Sequence, residues 1–172
     1  MHESALIVAV PAAEPLVGRF REKFDSSAAV GVPAHVTLLY PFLAPDAVGA
    51  SDVAALATLF ASTPAFDVVF ARTCRFGGQV LYLAPQPEET LLFLMRRVWE
   101  RWPECPPYNG AIARDLVRPH LTIADGAGGE HLDRIDLAVA GGLPISTRFD
   151  EAQLIDNRSG RWKTRETFAL GG

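Results

Sequence analysis

Short apolar runs and amphipathic stretches alternate along the chain, each time in the same order. Residues 5–10 form an apolar run rich in β-branched side chains that ends at Pro11, as is typical of a buried strand. Residues 14–24 then carry apolar side chains at helical spacing. The same two patterns return at residues 80–84 and 88–102. The chain is therefore predicted to contain two similar strand–helix units.

The rest of the chain predicts a further helix and strand after each unit. Helices are expected over residues 52–60 and 131–140, and strands over residues 66–70 and 145–149. A last strand is expected over residues 162–170. Alanine, glycine and proline dominate the stretches between these elements, as they do in loops. This mixture of strands and helices favours an α+β fold.

The two strand–helix units also match each other position by position. At a shift of 75 residues, Leu6 falls on Leu81 and Leu16 on Leu91. A His-x-Thr tripeptide follows each unit, and the second unit has about ten additional residues, which we place in a loop over 103–117. Alanine-rich amphipathic helices can resemble each other by chance. The shared tripeptide is what favours an internal duplication.

Duplication within a chain of this length predicts one domain built from two similar lobes. The 172 residues suffice for one sizeable core and are too few for two ordinary domains. We therefore expect a single domain over residues 1–172, with a bilobal, duplicated α+β fold. Two antiparallel sheets with outer helices would flank a central groove and be related by a pseudo-two-fold axis.

The His-x-Thr tripeptides, at residues 35–37 and 120–122, carry the candidate chemistry. Side chains alternate across a strand, so the imidazole and the hydroxyl of each tripeptide share one face while the middle residue points into the core. If the lobes are symmetric, both faces open into one groove. The alternative is that both histidines are hydrogen-bonded core residues and that threonine is there as a good strand former.

Two imidazoles flanking one small volume suit phosphodiester cleavage. One histidine would act as a base on the attacking oxygen and the other as an acid on the departing oxygen. We take His120 as the base and His35 as the acid. The hydroxyls of Thr37 and Thr122 would donate hydrogen bonds to the non-bridging phosphoryl oxygens. No carboxylates cluster with the histidines in a metal-ligand pattern, so we expect neither a metal nor another cofactor.

Charge and composition restrict the partners. The formal net charge of −4 argues against a long contact with duplex DNA and leaves a small phosphate-containing substrate or an RNA end. Cys74 and Cys105 show no metal-site or redox spacing. The N-terminus lacks the pattern of a secretory signal, and no run is long enough to span a membrane. We expect a cytoplasmic monomer.

The segments Pro33-Ala34-His35-Val36-Thr37-Leu38-Leu39-Tyr40-Pro41-Phe42 and Arg118-Pro119-His120-Leu121-Thr122-Ile123 resemble the paired signatures of the two-histidine (2H) phosphoesterases. This superfamily includes 2′-5′ RNA ligase-like proteins and cyclic nucleotide phosphodiesterases. The resemblance extends to the last strand and so covers nearly the whole chain. It implies a bilobal fold with a central groove, and cofactor-free cleavage of 2′,3′-cyclic phosphates or 2′-5′ bonds. It also implies catalytic roles for both histidines and phosphate-binding roles for both threonines.

Several residues near the tripeptides are further candidates. Arg118 could clamp a phosphate through its guanidinium group, or be an exposed charge at the strand end. Tyr40 and Phe42 could stack on a base, although core packing is expected for at least one of them. Three basic residues alternate along the last predicted strand and suggest either a basic face or a solvated edge: Arg161, Lys163 and Arg165.

Two other functions remain open from the sequence. The groove could hold an RNA end or a nucleotide without catalysis, although both histidines are intact. The protein could also join RNA ends at 2′-5′ junctions. The chain has neither a P-loop nor a lysine motif for nucleotidyl transfer, so ligation would have to run as cyclic-phosphate hydrolysis in reverse. Residues 103–114, where the two halves differ, are expected to decide substrate size.

Overall fold

A computed structural model describes all residues 1–172, which form eight strands and five α-helices. The strands are β1 (Ser4–Ala9), β2 (His35–Leu39), β3 (Phe66–Phe76), β4 (Val80–Gln86), β5 (Leu121–Asp125), β6 (Ile145–Phe149), β7 (Glu151–Asp156) and β8 (Lys163–Ala169). The helices are α1 (Glu14–Phe24), α2 (Ser26–Ala29), α3 (Ala50–Ala61), α4 (Glu88–Arg101) and α5 (Gly129–Ala140). None of the helices combines the length and apolar composition that crossing a membrane requires.

The strands form two four-stranded antiparallel sheets with matching topology. The first sheet has the order β2-β1-β7-β8 and the second has the order β5-β4-β3-β6. In each sheet the strand of a His-x-Thr tripeptide lies at one edge, and the first strand of a strand–helix unit lies next to it. The predicted α+β fold with two duplicated lobes and a pseudo-two-fold relation is confirmed.

Each sheet combines strands from both halves of the chain. Strands β1 and β2 come early in the sequence, but they share their sheet with β7 and β8 from its end. Strand β3 crosses over to pair with β4 and β6 in the second sheet. The lobes are therefore not consecutive segments. Local sequence patterns carry no information about which strands pair, and for that reason this exchange was not predicted.

Strand β7 was missing from the predicted elements. Its sequence, Glu-Ala-Gln-Leu-Ile-Asp, has acidic residues at both ends and only a short apolar centre. Ala152 and Leu154 nevertheless point into the core, and the strand is held between β1 and β8. Pairing on both sides compensates for a weak local preference, which is common for central strands.

The helices cover the outer faces of the sheets, but each strand–helix unit reaches across to the other lobe. Helix α1 follows β1 and packs against β5, and α4 follows β4 and packs against β2. Helices α3 and α5 contact β8 and β3. A cluster of 37 buried apolar residues joins side chains of both sheets and their helices into one core. The packing of α1 and α4 therefore supports the tripeptide strand of the opposite lobe.

Candidate active site

The two tripeptides lie on neighbouring edges of the sheets. Strands β2 and β5 contact each other where the lobes meet. His35 is the first residue of β2, and His120 directly precedes β5. Both histidines are half-buried, as are Thr37 and Thr122, which follow two residues later. The sheet edges thus bring two imidazoles and two hydroxyls to the junction between the lobes.

The opposite faces of these strands anchor them in the core. Val36 and Leu38 are almost completely buried, and so are Leu121 and Ile123. Because successive side chains point to opposite faces, this burial fixes which residues can face the groove. A slip of one residue would place the histidine in the core.

Each histidine is held through the same ring nitrogen. Nδ1 of His35 lies 2.7 Å from the carbonyl oxygen of Pro33, and Nδ1 of His120 lies 2.7 Å from that of Arg118. A carbonyl oxygen can only accept, so Nδ1 must donate the proton in both rings. The neutral rings therefore carry a free lone pair on Nε2, the nitrogen needed to accept or deliver a proton at a substrate.

Burial makes both imidazoles poorer proton binders than a free histidine. Burial lowers the pKa of His35 to about 4, while the hydrogen bond to the Pro33 carbonyl opposes this shift. The positive charges of Arg21 and His120 lower the pKa further, and Asp25 raises it. Burial likewise lowers the pKa of His120, opposed by its hydrogen bond to the Arg118 carbonyl. The charge of each ring is thus sensitive to whatever occupies the groove.

A buried ion pair supports the segment that carries His35. Arg21 of α1 is 2% exposed and its Nη2 lies 2.9 Å from Oδ2 of Asp25. The same guanidinium donates to the carbonyl oxygen of Val32 at 3.3 Å. Asp25 also accepts from the backbone N–H of Ser27 at 2.9 Å. This network fixes the backbone just before Pro33, whose carbonyl orients the imidazole of His35.

The His35 side of the groove contains a cavity of about 430 Å³. His35 and Thr37 line it, together with Glu3, Tyr40 and Trp162. The hydroxyl of Tyr40 donates to Glu3 at 3.1 Å, and the Tyr40 ring meets the Trp162 ring edge-on at a centroid distance of 6.2 Å. Volumes in this range are typical of sites for small molecules.

A pair of aromatic rings lies beside His120. Phe76 stacks on Tyr82 with ring centroids 4.1 Å apart, and its edge meets His120 at 5.0 Å. Tyr82 is the cross-strand partner of Thr122. The two sides of the groove therefore differ: an open cavity adjoins His35, and a stacked aromatic pair adjoins His120.

The other candidate residues near the tripeptides differ in what they contact. Tyr40 lines the cavity. Phe42 is buried in the main core against Trp102, so the expectation that Phe42 could stack on a base is wrong. The guanidinium of Arg118 lies 3.4 Å from Glu88 and donates to backbone carbonyls of its own loop. These contacts point to holding the loop before His120 rather than clamping a phosphate.

The basic residues near the last strand do not form a continuous charged face. Arg161, just before β8, donates to the carbonyl oxygen of Ala29, and Arg165 donates to those of Pro45 and Val48. Lys163 makes no such hydrogen bond and, like Arg161, is exposed; it lies on a strand that forms the sheet edge. The solvated-edge interpretation describes this region better than the basic face.

Neither the cysteines nor the remaining acidic and histidine residues assemble into a metal-ligand cluster. Burial raises the pKa of the Cys105 thiol to about 11, helped by the charges of Glu104 and Asp52. Cys74 is half-buried and its sulfur lies 3.0 Å from a guanidinium nitrogen of Arg72. The raised pKa leaves the Cys105 thiol protonated and therefore a poor nucleophile.

Sequence patterns alone missed the residues that surround the histidines. Arg21 lies four residues after Val17, on the apolar face of α1. A charged residue at such a position indicates a buried ion pair, and this was the signal available in the sequence. Glu3 and Trp162 come from opposite ends of the chain, so no local pattern could place them in one cavity. Phe76 lies beyond the predicted end of its strand, which continues six residues further than expected.

Comparisons with solved structures show the fold. Escherichia coli LigT in complex with 3′-AMP superimposes with a TM-score of 0.62 at 17% identity and covers 99% of both chains. The complex of LigT with NADP⁺ gives a TM-score of 0.59 at 19% identity, with 99% of this chain and 98% of the other covered. TT0787 of Thermus thermophilus gives 0.61 at 16% identity over the same shares.

Comparisons of sequence show the family. A Geobacillus kaustophilus protein named "Putative phosphoesterase" is 26% identical over 160 residues, 89% of this chain and 87% of the relative. A Bacillus cereus protein of the same name is 30% identical over 164 residues, 88% of this chain and 86% of the relative. The profile of the 2′-5′ RNA ligase superfamily matches residues 9–161. With its two histidines at the junction of duplicated lobes, this chain belongs to the 2′-5′ RNA ligase superfamily of two-histidine phosphoesterases.

Proposed function

We propose that this protein is a metal-independent phosphoesterase that opens 2′,3′-cyclic phosphates or hydrolyses 2′-5′ phosphodiester bonds of nucleotides or RNA ends. The reaction would use His35 and His120 as a general acid–base pair. Thr37 and Thr122 would hold the non-bridging phosphoryl oxygens.

One observation carries this proposal: both imidazoles are tethered through Nδ1, which leaves Nε2 free, and each lies two residues before a threonine, on adjoining edges of two related sheets. Tethering fixes both the tautomer and the ring orientation before substrate binds. Two proton-transfer groups and two hydroxyl donors at the junction of β2 and β5 would meet the needs of an in-line displacement at phosphorus if all four reach one phosphate.

The reaction requires a proton transfer on each side of the phosphorus. A base removes a proton from water as its oxygen forms a bond to phosphorus. The bond from phosphorus to the 2′ or 3′ oxygen breaks, and the acid donates a proton to that departing oxygen. The products are a phosphomonoester and a free ribose hydroxyl. Negative charge grows on the non-bridging oxygens in the transition state, and the hydroxyls of Thr37 and Thr122 would stabilise that charge.

The cavity beside His35 supports taking His35 as the acid and His120 as the base. A departing 2′ or 3′ oxygen stays attached to its nucleoside, so the acid has to face the side where the nucleoside binds. The space of about 430 Å³ adjoins His35, whereas the ring of Phe76 packs against His120. A bound phosphoryl anion favours the imidazolium form of His35, so His35 would carry the proton that an acid has to donate.

The proposal is tested with purified protein, EDTA, 2′,3′-cyclic nucleotides and 2′-5′ oligoadenylate. We expect phosphomonoesters or shortened oligomers, analysed by chromatography. His35→Ala and His120→Ala should each lower kcat by about 10²- to 10⁴-fold. His2→Ala, at the exposed N-terminus, is the matched control and should turn over like the wild type. Absence of turnover, or its dependence on an added metal, would overturn the proposal.

A further inference from the structure

The cavity beside His35 has an apolar floor that is separate from the main core. Ala5, Ile7, Val32 and Ile155 form a small buried cluster of their own, with Tyr40 and Trp162 packed against it. Ala5, Ile7 and Ile155 lie on strands of the first sheet, and Val32 lies in the segment before β2. These four side chains line the cavity together with His35 and Thr37, so the cavity has an apolar floor next to the candidate catalytic residues, as a nucleobase requires.

Two walls of the cavity are joined by a backbone hydrogen bond. The N–H of Trp162 donates to the carbonyl oxygen of Val30 at 3.0 Å. Gly31 permits this approach: its φ is +104°, and a Cβ there would lie 3.0 Å from the Trp162 carbonyl oxygen. The aromatic wall and the segment after α2 therefore stand at a fixed separation over the floor.

A carboxylate lies at the end of the cavity remote from His35. Glu3, Ala5 and Ile7 occupy alternate positions along β1 and its start, and Ile7 is the cross-strand partner of Thr37. At about 3.4 Å per residue, Glu3 lies about 13 Å along the strand from Ile7. Tyr40 donates to Oε1 of Glu3, and Oε2 has no partner within the protein.

We propose that this cavity binds the nucleobase of the substrate and selects guanine, whose N1–H and N2–H groups donate to the carboxylate of Glu3. The inference rests on the proposed function, because it places the reacting phosphate at His35 and Thr37. The ribose and phosphate would then extend along β1 from the base towards Thr37.

The choice of guanine follows from the donor and acceptor patterns of the bases. An ionised carboxylate is an acceptor only, and each of its oxygens can receive more than one hydrogen bond. Guanine presents two adjacent donors to it. Adenine and cytosine each present one donor beside an acceptor, and uracil presents one donor between two carbonyls. For these three bases the carboxylate would face at least one repelling lone pair.

The first test compares kcat/KM for the four nucleoside 2′,3′-cyclic phosphates. We expect guanosine to exceed adenosine by about tenfold, the discrimination of one bidentate contact. Glu3→Gln replaces one acceptor oxygen by a donor and should remove this preference. The control Glu130→Gln changes an exposed glutamate at the start of α5 and should preserve it. Absence of a guanosine preference in the wild type, or its survival in Glu3→Gln, overturns the inference.

A second variant separates base binding from chemistry. Val30 is 42% exposed at the rim of the cavity, so Val30→Trp can narrow the cavity without disturbing the core. We expect kcat/KM for guanosine 2′,3′-cyclic phosphate to fall by about tenfold. Turnover of glycerol 1,2-cyclic phosphate, which has no base, should fall much less, so the ratio of the two kcat/KM values should drop. An equal loss on both substrates would contradict a base site.

Calorimetric measurement of nucleotide binding tests the base site even if no cyclic phosphate is hydrolysed. Guanosine 3′-monophosphate should bind the wild type more tightly than adenosine 3′-monophosphate, and Glu3→Gln should remove the difference. That result with no turnover would overturn the proposed function and support the base site. Equal binding of both nucleotides, or binding of neither, overturns the base site whatever the enzyme does.

Discussion

The indole N–H of Trp99 donates a hydrogen bond of 2.9 Å to the carbonyl oxygen of Leu38. This bond links α4 to β2, the strand that carries His35 and Thr37. Because β2 is an edge strand, its backbone pairs with β1 on one side only. The indole of Trp99, from the opposite strand–helix unit, thus supplies a donor for a backbone carbonyl of β2.

Trp99→Phe should therefore weaken both the fold and the site. The variant leaves the Leu38 carbonyl buried without a donor, which costs about 1–3 kcal/mol in the free energy of unfolding. A displaced β2 should also lower kcat/KM by about tenfold, since small shifts of catalytic groups are costly. Urea denaturation and steady-state kinetics measure the two effects.

Trp102→Phe provides the comparison for this variant. The indole of Trp102 is equally buried but donates to the side chain of Asp52, away from both histidines. We expect a loss of stability without a loss of kcat/KM. If Trp99→Phe kept wild-type kcat/KM, the proposed support of β2 by α4 would be wrong.

The alternation of side chains was sufficient to predict which residues of each tripeptide share a face. Val36 and Leu121 are buried, and the histidines on either side of the groove point away from the core, because a strand has only two faces. The two strand–helix units were also evident from sequence, since Leu6 and Leu81 belong to strands with equivalent places in their sheets.

The surroundings of the histidines could not be predicted because they depend on contacts between distant segments. Glu3 and Trp162 line the same cavity because β1, β7 and β8 pair in one sheet. Phe42 follows the first tripeptide closely enough to suggest a substrate contact, yet the turn after β2 directs it against Trp102. Local sequence patterns predict helices, strands and their buried faces, whereas the cavity is formed by the pairing of strands that are distant in sequence.

The pH dependence of catalysis should reflect the lowered pKa values of the two half-buried imidazoles. Burial lowers the pKa of both His35 and His120 below the usual 6.5, so the bell-shaped profile of kcat/KM should be centred below pH 6.5. A bound phosphoryl anion raises both pKa values, which moves the profile of kcat to higher pH. Initial rates between about pH 4 and 9 at constant ionic strength measure both. A flat profile would contradict paired histidine catalysis.

The same shift makes the fold less stable in acid. The pKa of His35 is about 4 in the folded protein and near 6.5 when unfolded, so between these values the unfolded chain binds more protons. The free energy of unfolding should therefore fall as pH drops from 6.5 to 4, by about 3 kcal/mol from this group. Denaturation curves of wild type and His35→Gln at several pH values isolate the effect.

In His35→Gln that part of the acid sensitivity should disappear, while carboxylates continue to titrate as before. His2→Gln removes a histidine from the exposed N-terminus and should leave the wild-type pH dependence intact. Equal slopes for wild type and His35→Gln between pH 6.5 and 4 would show that His35 titrates as freely in the folded state as in the unfolded chain.

Arg21 should matter for both stability and the pH profile. Arg21→Met leaves Asp25 buried without its cation, which costs about 3–5 kcal/mol in the free energy of unfolding. Loss of the positive charge also raises the pKa of His35, so the centre of the kcat/KM profile should move to higher pH. Chemical denaturation and pH-dependent kinetics measure these changes.

The double variant Arg21→Met with Asp25→Leu removes both charges and should recover part of the lost stability. A profile of kcat/KM that did not move in Arg21→Met would mean that Arg21 supports the backbone at Val32 without influencing the charge of His35.

The threonine hydroxyls should act mainly in the transition state. Thr37→Val and Thr122→Val keep the shape and β-branching of the side chain but remove the donor, so the strands should stay in register. Removing one donor to a developing oxyanion lowers kcat by about 10²- to 10³-fold. KM should change little, because this contact strengthens as charge builds on the phosphoryl oxygens. Thr37→Ser and Thr122→Ser retain a hydroxyl and should recover most of kcat. If the valine variants raised KM and left kcat unchanged, the hydroxyls would bind the ground state and transition state equally, and a role in charge stabilisation would be wrong.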